Sequence, residues 1–375
     1  MSRDGRGRRR VVVKIGSSSL TEADGSLALS RMRQMVSDMV RLERESGCQF
    51  VLVSSGAIAA GLGRLGWQRA HISMPEKQAA AAVGQVLLME HYERLFAEHG
   101  IAVGQILMTR ADVEDRKRFV NIRNTVMALL QRGVMPIINE NDTVAVDEIR
   151  FGDNDTLAAL VALVAEADTL VLLTDIDGLY TANPRQDPTA TRIAEVEAIT
   201  DEIERIAGGA GSSAGTGGMR TKIAAAKIAT QSGVEVVIAH RDEPRVLERV
   251  LGGEPVGTRF LASREPVSLR KSWLLHAPKP EGALQVDHGA MRALIAGGKS
   301  LLLPGLVQVH GEFQEGAVVE LVGPTGAAFG KGISNFSSRD LAEWLAKKRA
   351  GEDVHALHEV VHRNDMVIWT EATAG

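Results

Sequence analysis

Short β-branched runs that end in polar clusters, separated by helical stripes, restrict this chain to one class of fold. Val11-Val12-Val13-Lys14-Ile15-Gly16 is an apolar run closed by glycine and serines, which reads as a buried strand entering a polar loop. Leu29, Met32, Met35, Val36, Met39 and Val40 then recur at helical spacing, with Ser30 near the start and Gly47 just past the end. Phe50-Val51-Leu52-Val53 is a second strand, closed by Ser54-Ser55-Gly56-Ala57. The same alternation predicts strands at 101–108, 134–138, 169–173 and 234–239, with helices around 76–98, 119–132, 154–166 and 220–232. Strands alternating with helices build a mostly parallel sheet covered on both faces. Ligands of such sheets bind beyond the carboxyl ends of the strands. Polar clusters fall at those ends: Lys14 to Ser17, Ser54 to Gly56, Asn139-Glu140-Asn141-Asp142, and Thr174-Asp175. Four strands therefore point toward one rim.

At 375 residues the chain exceeds what one core usually organises, so two domains are expected. The pattern changes at His276-Ala277-Pro278-Lys279-Pro280-Glu281-Gly282, a Pro/Gly linker. Beyond it, Ser300–Leu303, Leu306–Val309 and Ala317–Val322 read as the strands of a small β domain. Arg3, Arg6, Arg8, Arg9 and Arg10 make the start basic, but no apolar or amphipathic segment accompanies them, so residues 1–10 read as a disordered solvated tail. A net charge of −4 gives no general electrostatic reason to bind nucleic acid. Apolar stretches are broken well before a bilayer-spanning length, so no membrane helix is expected. The lone cysteine, Cys48, cannot form an internal disulfide; a cytoplasmic location is expected.

Gly215-Thr216-Gly217-Gly218-Met219-Arg220-Thr221-Lys222 opens the helix that runs to about Ser232. Small residues let a backbone approach phosphate, and the exposed N–H groups of a helix start favour an anion. Lys222, one turn in, adds a full charge. The spacing is neither a Walker loop nor the dinucleotide pattern, and the segment alone also reads as a flexible surface loop. Lys14 ends a strand of Val and Ile, where a charge is costly unless it reaches solvent or meets a partner; its place at the ligand rim favours an anion. Phe151-Gly152-Asp153-Asn154-Asp155-Thr156-Leu157 puts two carboxylates and an amide at a helix start, either as an N-cap or to hold lysines or an ammonium group.

The segments VVKIGSSSL, VSSGAIAAG, TRADVEDRKRFVNIRNT, PIINENDTVA, FGDNDTLAA, LLTDIDGLYT and GTGGMRTK, in that order, resemble the amino acid kinase family over nearly the whole length. IINEND and FGDND point within it to the branch whose acceptor is free glutamate. The resemblance implies an open α/β/α sandwich with a mostly parallel central sheet at 11–270, a linker at 271–279 and a small C-terminal β-rich domain. It implies phosphorylation of the side-chain carboxylate of L-glutamate by ATP, the first step of proline synthesis. It assigns Lys14, Thr174, Asp175, Thr216, Gly217, Gly218, Met219, Arg220, Thr221 and Lys222 to ATP. Ser55, Asp142 and Asn154 would bind glutamate, with Asn139 and Asp153 close by. Lys14 and Lys222 would stabilise the transferring group, and Asp155 would hold both lysines. Mg²⁺ would ride mainly on the nucleotide phosphates. Arg220 departs from the family, in which a small residue is common. The resemblance further implies proline as a feedback inhibitor, a homo-oligomer such as a tetramer, and hand-over of product to a glutamate-5-semialdehyde dehydrogenase.

Residues 280–358 resemble a PUA domain, notably at VDHGAMRALIAGGKSLLLPG, with a C-terminal segment at 359–375. Nine Lys and Arg against twelve Asp and Glu over 276–375 argue against RNA binding by this part and for a structural or regulatory role. His358-Glu359-Val360-Val361-His362 matches a zinc-protease pattern, but that chemistry needs a helix, and the neighbourhood is strand-like. Kinases with acetylglutamate, aspartate, carbamate or UMP as acceptor, and an RNA-binding protein, are the competing readings.

Overall fold

The computed structural model describes residues 8–22, 26–68, 72–145, 154–184, 186–209, 218–276, 278–352 and 359–369. It divides into two compact units, Met1–Pro266 and Val267–Gly375.

The first unit is built on eight strands: β1 (Arg10–Ile15), β2 (Gln49–Val53), β3 (Val103–Met108), β4 (Met135–Glu140), β5 (Thr169–Thr174), β6 (Glu195–Val196), β7 (Glu235–His240) and β8 (Thr258–Phe260). They form one sheet in the order β3-β4-β2-β1-β5-β7-β8-β6. Pairing is parallel from β3 through β7; β8 runs antiparallel to β7, and β6 runs with β8. β1 is central: Val12 lies opposite both Val51 and Leu170. Val11, Val12 and Val13 are wholly buried, which is why the strand reads as an unbroken apolar run rather than an alternation. Each such side chain contributes about 1.5–3 kcal/mol when removed from water.

The helix Leu29–Ser46 turns Met32, Met35, Val36, Met39 and Val40 into the core. It stops at Gly47, whose left-handed φ of 67° lets its N–H donate to Glu43 O. Helices Ala57–Leu65 and Met74–Ala97 touch backbone to backbone. A Cβ on Gly61 would lie 1.8 Å from Ala80 O, and one on Gly84 would lie 1.7 Å from Ala57 O. This close seam fixes the helix that leaves the polar end of β2.

Arg9 and Arg10 correct the expected tail over 1–10. Arg9 Nη1 donates to Leu251 O at 3.0 Å and Nη2 to Thr169 Oγ1 at 2.9 Å. Arg10 opens β1, and its N–H donates to Asp168 Oδ2 at 2.9 Å. Two of the charges that suggested a solvated arm are thus tied into the first unit. Residues 1–7 of that tail lie outside the described residues.

In the second unit, a helix occupies Leu269–His276, across most of the stretch expected as linker. Two turns give too few repeats to register as periodic, yet Trp273 and Leu274 are buried. Its strands are β9 (Gly282–Val286), β10 (Leu301–Leu302), β11 (Leu306–His310), β12 (Val318–Val322), β13 (Ala328–Ile333), β14 (Glu359–Val361) and β15 (Met366–Ile368). Five of them form a sheet in the order β11-β9-β12-β13-β15, and β10 pairs with β14. The separate segment expected from 359 therefore supplies strands to both sheets. Helix Ser338–Arg349 starts at a capping box between Ser337 and Asp340 and buries Leu341 and Leu345. The protease-like pattern falls on β14, an extended strand that points neighbouring side chains to opposite faces; His358 lies outside the described residues. Among the described residues no helix is long and apolar enough to cross a membrane.

Candidate active site

The carboxyl ends of β1, β2, β4 and β5 meet two helix starts, Asn154–Val164 and Met219–Gln231. Asp155, in the first turn of one helix, has a wholly buried side chain. Its Oδ1 lies 2.6 Å from Lys14 Nζ, and its Oδ2 lies 3.0 Å from Lys222 Nζ. Thr221 Oγ1 is within hydrogen-bond reach of Asp155 Oδ2 (3.2 Å) and Gly218 O (2.8 Å). Lys14 and Lys222 are themselves only 6% and 4% exposed. Burying charge costs several kcal/mol per ion unless it is paired, so this trio is tolerable only as a unit. Two ammonium groups share one carboxylate, which makes the trio net positive and suited to an anionic ligand.

Beside it, Asn154 Nδ2 lies 2.8 Å from Ser54 O, 2.8 Å from Ser55 Oγ and 3.0 Å from Asn139 Oδ1. Asn139 Oδ1 also accepts from the Glu140 N–H at 2.9 Å. Two donors on one atom identify it as the amide oxygen, so Nδ2 is the other terminal atom. That Nδ2 is buried and has no hydrogen-bond partner among the described residues. A buried donor left unsatisfied costs about 1–3 kcal/mol, which a ligand oxygen would recover. Asp142 is half-buried in the turn after β4. Below this cluster, Ser54 Oγ and Tyr92 Oη are 3.1 Å apart, and Tyr92 is wholly buried.

At the end of β5, Thr174 Oγ1 donates to Asp175 Oδ1 at 3.0 Å. Burial alone would raise the Asp175 carboxyl. The Thr174 hydroxyl, a backbone N–H and the charges of Arg241 and Lys222 together outweigh it, so the carboxyl stays below its ordinary range. Gly218 caps the Met219–Gln231 helix, Met219 is buried and Arg220 is exposed. Thr216, Gly217 and Asp153 lie outside the described residues.

Of the residues expected from sequence, Lys14, Asp155, Thr221 and Lys222 come together, and so do Ser55, Asn139 and Asn154. The two groups join through the peptide between Asn154 and Asp155. The exposed Arg220 side chain is not brought into either group. Sequence reading missed the Ser54 carbonyl, Tyr92 and Arg241. Tyr92 sits in an ordinary apolar helical stripe with Leu88, Leu95 and Phe96, so nothing local marks it.

Residues 9–240 match the amino acid kinase family, and residues 282–357 match the PUA domain. The chain is 48% identical over 365 residues to the Glutamate 5-kinase of Moorella thermoacetica, covering 96% of each protein. It is 48% identical over 365 residues to the Glutamate 5-kinase of Burkholderia multivorans, covering 96% of this chain and 98% of that one. Among solved structures, the carbamate kinase from Giardia lamblia bound to AMP-PNP aligns with a TM-score of 0.52 at 18% identity, over 68% of this chain and 99% of that one. That likeness speaks to the fold alone.

Proposed function

The chain belongs to the amino acid kinase family, and on that premise we propose that it transfers the terminal phosphoryl group of ATP to the side-chain carboxylate of L-glutamate. The products are ADP and L-glutamyl 5-phosphate, in a step of proline biosynthesis. The single observation that carries the reading is the buried Lys14–Asp155–Lys222 trio set directly against the Asn154 amide cluster.

The acceptor carboxylate, with a reference pKa of about 4.3, is already ionised at neutral pH and needs no general base. One carboxylate oxygen forms a bond to the terminal phosphorus while the bond to the bridging oxygen of ADP breaks. The obstacle is bringing two anions together, so catalysis is positioning plus positive charge. Lys14 and Lys222 supply that charge at the phosphoryl oxygens, and Asp155 keeps both ammonium groups aimed. Thr174, Asp175 and the segment Thr216 to Lys222, including Gly217, Gly218, Met219, Arg220 and Thr221, bind ATP in this reading. Ser55, Asn139, Asp142, Asp153 and Asn154 bind glutamate; the Asn139 amide N–H suits a carboxylate oxygen, and the acids suit the α-ammonium.

Among the described residues, no three or more His, Cys, Asp or Glu side chains converge to hold a metal. Asp155 is also committed to its lysines. This donor set fits Mg²⁺ carried in on the substrate phosphates, where it would neutralise charge, with Asp175 the acid at that end of the site.

The same reading takes the kinase domain as the first unit and extends to a cytoplasmic homo-oligomer such as a tetramer. It includes feedback inhibition by proline, hand-over of the unstable acyl phosphate to a glutamate-5-semialdehyde dehydrogenase, and a structural or regulatory PUA domain that does not bind RNA. The deciding experiment is an ATP- and Mg²⁺-dependent assay with hydroxylamine as the trap. Hydroxamate from L-glutamate, but not from N-acetylglutamate or aspartate, is expected; preference for another acceptor would overturn the substrate while keeping the phosphate site.

A further inference from the structure

Arg241 directly follows β7, and its backbone N–H donates to Thr174 O at 2.8 Å. Its side chain runs back over the sheet: Nη1 donates to Ser18 Oγ and Ser19 Oγ, both at 3.2 Å. These serines sit in the short helix Ser17–Leu20, which follows Lys14 and Gly16. β5 lies between β1 and β7, so the side chain bridges the end of the strand that leads into Thr174 and Asp175. The Arg241 side chain is 18% exposed, Ser19 is wholly buried and Ser18 is exposed, so the bridge runs from the surface inward. Nε is buried without a hydrogen-bond partner among the described residues, although Asp242 Oδ2 lies 3.5 Å away. An ion pair with Asp242 alone would leave the guanidinium in solvent. Its charge instead acts on Asp175, at the nucleotide end of the site.

We propose that Arg241 is a positioning residue for the nucleotide. It clamps the loop after Lys14 against the end of β5, so that the backbone beside Lys14 and the Thr174-Asp175 pair face the polyphosphate in one fixed arrangement. This rests on the ATP reading above. It adds a residue outside the matched motifs, drawn from the far side of β5. Both bonds come from Nη1, whose two N–H groups lie in the rigid guanidinium plane and so have a fixed direction, whereas a lysine ammonium on its flexible stem would have to be ordered to reach the same two hydroxyls.

The test compares the full-length parent with Arg241→Ala, Arg241→Lys, the double variant Ser18→Ala/Ser19→Ala and the triple variant that combines Arg241→Ala with both serine changes. Initial rates are measured in the hydroxylamine assay as ATP and glutamate are varied separately, alongside thermal unfolding. Arg241→Ala is expected to raise the KM for ATP on the order of tenfold, as for loss of charged hydrogen bonds. The KM for glutamate should change by less than about twofold. Serine removal is expected to shift the ATP KM in the same direction and not to add to Arg241→Ala, because one interaction is removed by either change. Arg241→Lys should restore only part of the loss. Equal shifts in both KM values, or a lowered Tm with an unchanged ATP KM, would show a structural staple and overturn the proposal. Full additivity of the serine and arginine changes would also overturn it. A parent without turnover on any acceptor would instead remove the kinase reading beneath it.

Discussion

Asp155 is the residue on which the proposed chemistry would turn, because one buried carboxylate meets two lysines from distant parts of the chain. Replacing it with Asn would leave the lysine pair without that carboxylate, at a cost of about 3–5 kcal/mol by analogy with broken buried pairs. Urea denaturation should show this as a lower midpoint. Lys222→Ala acts on a different quantity. In the proposed reaction its charge would matter most as negative charge shifts in the transition state, so kcat should fall on the order of 10²–10³-fold with little change in the glutamate KM. Steady-state rates check this, and near-normal kcat would remove Lys222 from the reaction. Asp142→Ala should mainly raise the glutamate KM, about tenfold, if the carboxylate meets the α-ammonium. Asp175 adds a pH signature. Its folded-state pKa is depressed, so its contribution to stability is present above the unfolded value, about 3.9, and is lost as pH falls through the lower folded value. The stability gap between the parent and Asp175→Asn should be flat near neutrality and change only below about pH 4.

At the scale of elements, the site depends on how tightly helix Ala57–Leu65 lies against helix Met74–Ala97. Gly61 and Gly84 let carbonyls of the opposite helix approach to within a bond length or so of where a Cβ would sit. Neither backbone can step aside as a flexible side chain would. Gly84→Ala should therefore destabilise by about 1–3 kcal/mol or more, as overpacking does. It should also raise the glutamate KM, because Ala57 is joined through Gly56 to Ser55 and Ser54. Gly208 is the counterpart: it lies in helix Asp201–Gly209, and among the described residues nothing lies within 4 Å of the place an alanine methyl would take. Gly208→Ala should stabilise by up to about 1 kcal/mol through lower chain entropy in the unfolded state. Melting temperatures of the two variants should move in opposite directions. The same scale explains where the reading of elements fell short. β6 and β8 have two and three residues, too few to show a period, and the turns of Leu269–His276 sit beside a Pro/Gly cluster that looked like a linker.

For the whole molecule, every described residue assigned to the two substrates belongs to the first unit, and each unit has its own apolar core. A chain ending at Pro266 should therefore keep ATP-dependent hydroxamate formation from glutamate; loss of turnover from a folded truncation would give the PUA domain a part in catalysis. What the sequence by itself determined is the sheet and the chemistry available to it. Strands buried on both faces must be continuous runs such as Val11 to Val13, and their polar ends must mark the ligand rim, because no other place in such a sheet tolerates Lys14 or Asn139. Its ordered motifs also pointed to the family. Only the tertiary structure decided which of those polar groups meet. The order β1-β5-β7 brings Arg241 over Thr174 to Ser18, and the stacking of Met74–Ala97 brings Tyr92 under Ser54. Hydrophobic period records which face of an element is buried, but not which element lies beside it, so contacts between strands and helices far apart in the chain have no local signature.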